Sequence, residues 1–251
     1  MKILYIIIIL ISNNLLALDA NQTEITTDEG IEIFQEEKYY LLKKNVKITS
    51  KNFSLSADIV KAYFDKDLYD IIRIESLENV TLTSKKGIIA QGQKIFFSIK
   101  DENILIEGIK SSLINKEMQM FSNLSIEINN RTGKFKLRGE DSKLINKDLK
   151  ISGSVIDGFF IDNNNVNEIT TLYIEDQNEI NIKTSKINMF AKKSNYSKKN
   201  NLIELFENVK IIKSNEIIVG DYAKINTLNE SIKVTSDKTS NKVKILLTSD
   251  E

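Results

Sequence analysis

Apolar and polar residues alternate along most of this chain with a period of two. Val46, Ile48, Leu55, Ala57 and Ile59 are spaced for one face of a sheet, while Lys47, Ser54, Ser56 and Asp58 point the other way. The same alternation runs through Val209, Ile211, Ile217 and Val219, and again through Ile232, Val234, Val243 and Ile245. Each strand is therefore expected to bury one face and show a polar one. The enrichment in aliphatic and β-branched residues supports strand over helix. Ser56 to Phe64 places Ile59, Ala62 and Tyr63 at helix-compatible positions, yet its counterparts elsewhere read as strand. Turn signals such as Asp65-Lys66-Asp67, Lys85-Lys86-Gly87 and Lys199-Asn200-Asn201 recur every 8–12 residues or so, the rhythm of a sandwich, barrel or solenoid.

One phrase recurs three times. Asn45-Val46-Lys47-Ile48, Asn79-Val80-Thr81-Leu82 and Asn208-Val209-Lys210-Ile211 share the pattern Asn-Val-polar-aliphatic. Each is followed by a polar turn and a second strand expected to end in small or acidic residues: Ala57-Asp58, Gln91-Gly92 and Gly220-Asp221, always 12 residues on. A strand–turn–strand unit at fixed spacing marks repetitive β-structure. The middle, roughly Ser111 to Tyr173, keeps the apolar rhythm but loses the phrase. No Ser/Gly-rich linker divides the chain, so residues 21–251 read as a single sheet stack.

Composition then removes whole classes of chemistry. The 251 residues contain no His and no Cys, which excludes Ser-His and Cys-His nucleophile pairs, imidazole or thiolate metal sites and disulfides. No catalytic residue, metal or cofactor is assigned. Lysine plus arginine and aspartate plus glutamate are both 35, a balance that argues against nucleic acid as partner. Residues 1–20 read as an export signal: Lys2 supplies the positive end, Ile3 to Ile11 the apolar stretch, and Ala17 or Ala20 a cleavage position. A disulfide-free exported chain fits the periplasm of a bacterium.

The residues resemble the OstA/LptA family of periplasmic lipopolysaccharide-transport proteins. The opening Ile25-Thr26-Thr27-Asp28-Glu29-Gly30-Ile31-Glu32 is similar to that family's first repeat strand. The stretch Leu205-Phe206-Glu207-Asn208-Val209-Lys210-Ile211, then Ile217-Ile218-Val219-Gly220-Asp221-Tyr222-Ala223 and Lys242-Val243-Lys244-Ile245, resembles it more closely. Glu207 stands where the family has glycine, and Leu228-Asn229-Glu230 where a Thr-Gly turn is common. The resemblance implies an all-β, open, twisted β-jelly roll whose members join end to end and carry lipopolysaccharide in an apolar interior. The implied partners are the lipid A acyl chains, inner-membrane LptC-like and outer-membrane LptD-like proteins, and further copies of the chain. LptC and the N-terminal domain of LptD share the motif, so the sequence does not fully separate them.

Physical chemistry reaches a compatible reading. Each methylene exposed to water costs about 0.8 kcal/mol, so a chain of about 12 methylenes represents on the order of 10 kcal/mol. A carrier needs a continuous apolar groove, for which Val46, Ile48, Leu55, Val80, Leu82, Val209, Ile211, Ile217 and Val219 are the candidate lining. The same side chains would equally make a closed core. Phe53, Phe96, Phe121, Phe135, Phe190 and Phe206 could widen the interior or simply pack. Strands near Ile31–Phe34 and Val243–Leu247 are the candidate open edges, with Lys242 and Lys244 as an opposing, protective feature. Asp58 and Asp221, at equivalent repeat positions, read as fold-level residues. A structural β-solenoid and a carboxylate-based polysaccharide-active β-helix remain as alternatives.

Overall fold

The computed structural model describes residues 23–66, 70–85, 87–163, 166–236 and 242–247; the expected export signal lies outside them. Every regular element among the described residues is a strand. In chain order they are β1 (Glu24–Thr26), β2 (Ile31–Phe34), β3 (Tyr39–Thr49), β4 (Phe53–Phe64), β5 (Ile71–Ser84), β6 (Ile89–Ser98), β7 (Asn103–Glu107), β8 (Ser111–Ile114) and β9 (Met118–Ser122). There follow β10 (Ser125–Asn129), β11 (Lys134–Asn146), β12 (Leu149–Asn163), β13 (Val166–Lys183), β14 (Ile187–Ser197), β15 (Leu202–Lys213), β16 (Glu216–Asn226), β17 (Ile232–Thr235) and β18 (Lys244–Leu247). Among the described residues no helix is long and apolar enough to cross a membrane.

All pairings are antiparallel and join neighbours along the chain. Four passes across the sheet are each split in two, as β1/β2, β7/β8, β9/β10 and β17/β18, so the eighteen strands make a meander of fourteen bent passes. Among the described residues no pairing joins the first pass to the last, and the sheet keeps two free edges. The expectation of an all-β fold of many antiparallel strands is met.

A crease runs through the middle of every pass and divides the sheet into two walls. The turns after β2, β4, β6, β10, β14 and β16 lie at the lip of the first wall. Those after β3, β5, β8, β11, β13 and β15 lie at the lip of the second.

The repeated phrase is the crease. Lys44-Asn45, Glu78-Asn79 and Glu207-Asn208 are pairs of consecutive residues with φ between 51° and 68°. In each case the two residues stand opposite one: Asp58, Gln93 and Asp221 respectively. An extra residue in one strand of an antiparallel pair bends the strand and sharpens its twist, which is what folds the sheet here. Asn tolerates the left-handed region better than most L-residues because its short side chain bonds locally. Asn79 Nδ2 donates to Asp58 Oδ2 at 2.6 Å, and Asn45 Nδ2 to Asp28 Oδ2 at 2.5 Å.

The small residues of the second half of the motif have a matching cause. They do not end strands, as expected from sequence, but sit mid-strand at the apex of the wedge. A Cβ on Gly92 would lie 2.6 Å from Ile106 Cγ2, and one on Gly220 2.5 Å from Val234 Cγ1. The adjacent strand, β7 beside Gly92 and β17 beside Gly220, already fills that space at the crease. In the middle of the chain the crease persists with other residues: Gly108 and Lys110, Gly139 and Asp141 take the positive φ values. In β13 the four residues between Glu175 and Ile180 stand opposite Lys192 alone.

The crease makes a stability test possible. Replacing Asn208 (φ 56°) by Gly should leave stability nearly unchanged, whereas Asn208→Val should cost about 1–2 kcal/mol, the strain of a β-branched residue in the left-handed region. Urea unfolding of the two variants checks this; equal midpoints would mean that the bend does not depend on this conformation.

Candidate functional site

The inner surface of the folded sheet is made of rows, one residue per pass, built by direct cross-strand partners. On the second wall the row reads Ile25, Ile48, Leu55, Leu82, Ala90, Leu113, Met120, Leu144, Ile151, Ile182, Met189, Ile211, Ile218, Ile245. It crosses all fourteen passes without a polar member. From Ile48 to Ile211 no member is more than 8% exposed, while the terminal Ile25 and Ile245 are 36% and 59% exposed. On the first wall a parallel row runs from Ile31 through Leu42 and Val60 to Leu205, Ala223 and Val234.

The register places seven of the nine candidate lining residues on this inner face: Val46, Ile48, Leu55, Val80, Leu82, Val209 and Ile211 are all buried. Ile217 and Val219 are a correction. The two-residue turn Ser214-Asn215 sets Ile211 against Ile218, so Ile217 pairs with Ile212 and Val219 with Lys210 on the outer face. Simple alternation misses this because it does not count the residues of the turn. The bulge has the same effect at Ile59, which faces outward while Val60 is fully buried. Of the candidate phenylalanines, Phe135 is fully buried and stacks on Phe160 at 6.3 Å. Phe206 meets Tyr222 and Phe190 lies under Lys210 Nζ, both on the outer face.

The expected open trough is closed by the protein's own side chains. The two walls share one continuous apolar cluster from Leu42 to Ile225. Facing sheets interdigitate at about 10 Å, and no buried charge stands between these two among the described residues. Among the described residues all six buried polar residues are serines. At the crease Ser111 Oγ donates to Gly108 O and Ser142 Oγ to Gly139 O, both at 2.7 Å, and Ser122 Oγ donates to Arg138 O. Ser76 and Ser194, in the inner row of the first wall, have hydroxyls without a partner. Sequence alternation gives no sign of them, since a serine at an inward position looks like any other small residue.

The lips of the two walls meet at one end. Glu230, in the turn after β16 at the first lip, reaches across to Lys186 in the turn after β13 at the second, and lies 4.0 Å from Lys213 Nζ at the end of β15. Hydrogen bonding to Lys186 and its positive charge hold the Glu230 carboxyl below its ordinary range; the same contact raises Lys186. This clasp therefore holds at neutral pH, weakens as pH falls through the carboxylate range and weakens again when the lysine deprotonates. Both side chains are largely exposed, and such pairs contribute little to stability.

No protein-family model matches the chain, and no curated protein matches it. Among solved structures, a similar chain is LptH from Pseudomonas aeruginosa, the LptA-homologous periplasmic component of the conserved lipopolysaccharide transport device. The two are 12% identical, the match covers 53% of this chain and 95% of that one, and the TM-score is 0.44.

The unpartnered serines give a second test. An orphaned buried hydroxyl costs about 1–3 kcal/mol, so Ser76→Ala and Ser194→Ala should each raise the unfolding free energy by about 1 kcal/mol or more. Chemical denaturation measures it; a loss of stability would mean that the hydroxyls have partners in solution.

Proposed function

We propose that the chain is a non-enzymatic periplasmic bridge that carries lipopolysaccharide between membranes, with lipid A acyl chains held between the two walls. The single observation that supports this most is the apolar row of the second wall, which runs from edge to edge and emerges exposed at both ends. The resemblance of Leu205–Ala223 to the OstA/LptA family supplies the cargo. Because the interior is closed, loading requires the walls to part. Parting them onto acyl chains keeps apolar surface out of water, whereas parting them onto water does not. The exposed clasp is a weak restraint against that movement.

Edge-strand addition supplies the partners: further copies, and LptC-like and LptD-like proteins at the two ends. With an even number of passes, the last runs from first wall to second and the first runs back. A second copy added by translation therefore continues the antiparallel meander, setting Ile245 of one copy beside Ile25 of the next. The charges agree. Residues 23–37 contain Glu24, Asp28, Glu29, Glu32, Glu36 and Glu37 with no Lys or Arg, whereas the last pass offers Lys233, Lys242 and Lys244.

The closed interior favours a second reading, a structural strut that stacks by the same edges and binds no lipid. Photocrosslinkers placed at Ile211 and Ile218, against Lys210 and Val219, separate the two in cells making lipopolysaccharide. Labelling from the first pair alone is the expected result; none from either leaves the strut. Replacing Lys233, Lys242 and Lys244 by Glu should abolish concentration-dependent growth of end-to-end chains in light scattering. Unchanged growth would exclude this edge.

A further inference from the structure

The two lips of the furrow differ in charge. Five of the six turns at the lip of the second wall carry lysine, Lys51, Lys85, Lys116, Lys147 and Lys186, and Lys213 ends the strand that leads into the sixth. Each hairpin adds two strands, so successive members of this line are about 10 Å apart. The acids among them are Glu117, Asp148 and Glu216. The first lip also carries cations, Lys38, Lys66, Lys100, Arg131, Lys198 and Lys199, but among the described residues its turns hold Glu36, Glu37, Asp65, Asp70, Asp101, Glu102 and Glu230 as well, so only the second lip has a positive balance. Among the described residues Lys51, Lys85, Lys116 and Lys147 are exposed and have no ion-pair partner.

An anion already sits on this line. The Glu230 carboxylate spans the mouth to Lys186 and Lys213, one negative charge shared by two positive ones. Directly beneath lie Ile187, Met189 and Ile211, the buried inner face of the second wall. A ligand with acyl chains between the walls has its head at this lip, where a phosphate can replace the carboxylate and satisfy both lysines more fully. Lysine serves such groups as a point charge, without the fixed fork of arginine.

We propose that the lysines along the second lip form a rail for the phosphate of an acylated, anionic lipid, with Glu230 as a built-in competitor displaced when the head group arrives at Lys186 and Lys213. The rail rests on the lipid-carrying reading and adds to it the site of the head group. Equally spaced lysines give the head group successive equivalent positions, so it can advance along the lip while its chains stay between the walls.

Binding of a short-chain phosphatidic acid and of the diacylglycerol with the same chains tests this, using the whole chain. The wild type should bind the phosphatidic acid about tenfold more tightly, a preference that fades in high salt. Changing the six lysines to Gln, all surface positions, should remove the preference and leave diacylglycerol binding intact. Glu230→Gln should tighten phosphatidic acid binding several-fold. Equal binding of both lipids by the wild type, or a preference that survives the Lys→Gln changes, overturns the rail while the carrier stands. Failure of either lipid to bind overturns both.

Discussion

The fold of this molecule depends on extra residues set against fewer partners at the crease, in three passes a pair of left-handed residues opposite one. Without that mismatch a long antiparallel meander would stay a twisted ribbon with one greasy face in water. The extra residue in every second pass turns the ribbon against itself, and the same step brings the two apolar faces together. Backbone strain and hydrophobic burial are therefore coupled. Lys44-Asn45, Glu78-Asn79 and Glu207-Asn208 hold an unfavourable conformation because the walls packed on either side stabilise it.

The crease also explains what was legible in the sequence and what was not. Strand character, the repeat and most of the inner residues follow from period-two alternation, because a half-buried strand has no other economical pattern. The face of a residue beyond a bulge or a short turn does not follow. Ile59, Ile217 and Val219 are read wrongly for that reason: each lies past a point where the count shifts by one. The small residues were visible, but Gly92 and Gly220 are small because of Ile106 and Val234 on the adjacent strands at the crease, a contact set by the bulge rather than by the alternation. The clasp was invisible for the same reason, since Lys186 and Glu230 are 44 residues apart.

Under the proposed carrier function, the closed interior makes loading an exchange of one apolar contact for another. A permanently open apolar channel would expose its walls to water whenever it was unloaded, at a cost that grows with every pass. Fourteen passes of aliphatic side chains closing on one another avoid this, and the lips then decide where separation begins. Wherever the weakest wall-to-wall contact lies, it is bounded by exposed charges rather than by covalent or deeply buried links.

The strictly sequential pairing has a kinetic corollary. Each pass bonds only to its predecessor and successor, so contacts are local along the chain and assembly can zip forward one hairpin at a time. A segment that emerges early could register on the segment before it without waiting for distant sequence. The growing end would meanwhile present an unsatisfied edge at every stage, and premature association between nascent chains becomes the hazard that such a mode of growth has to outrun.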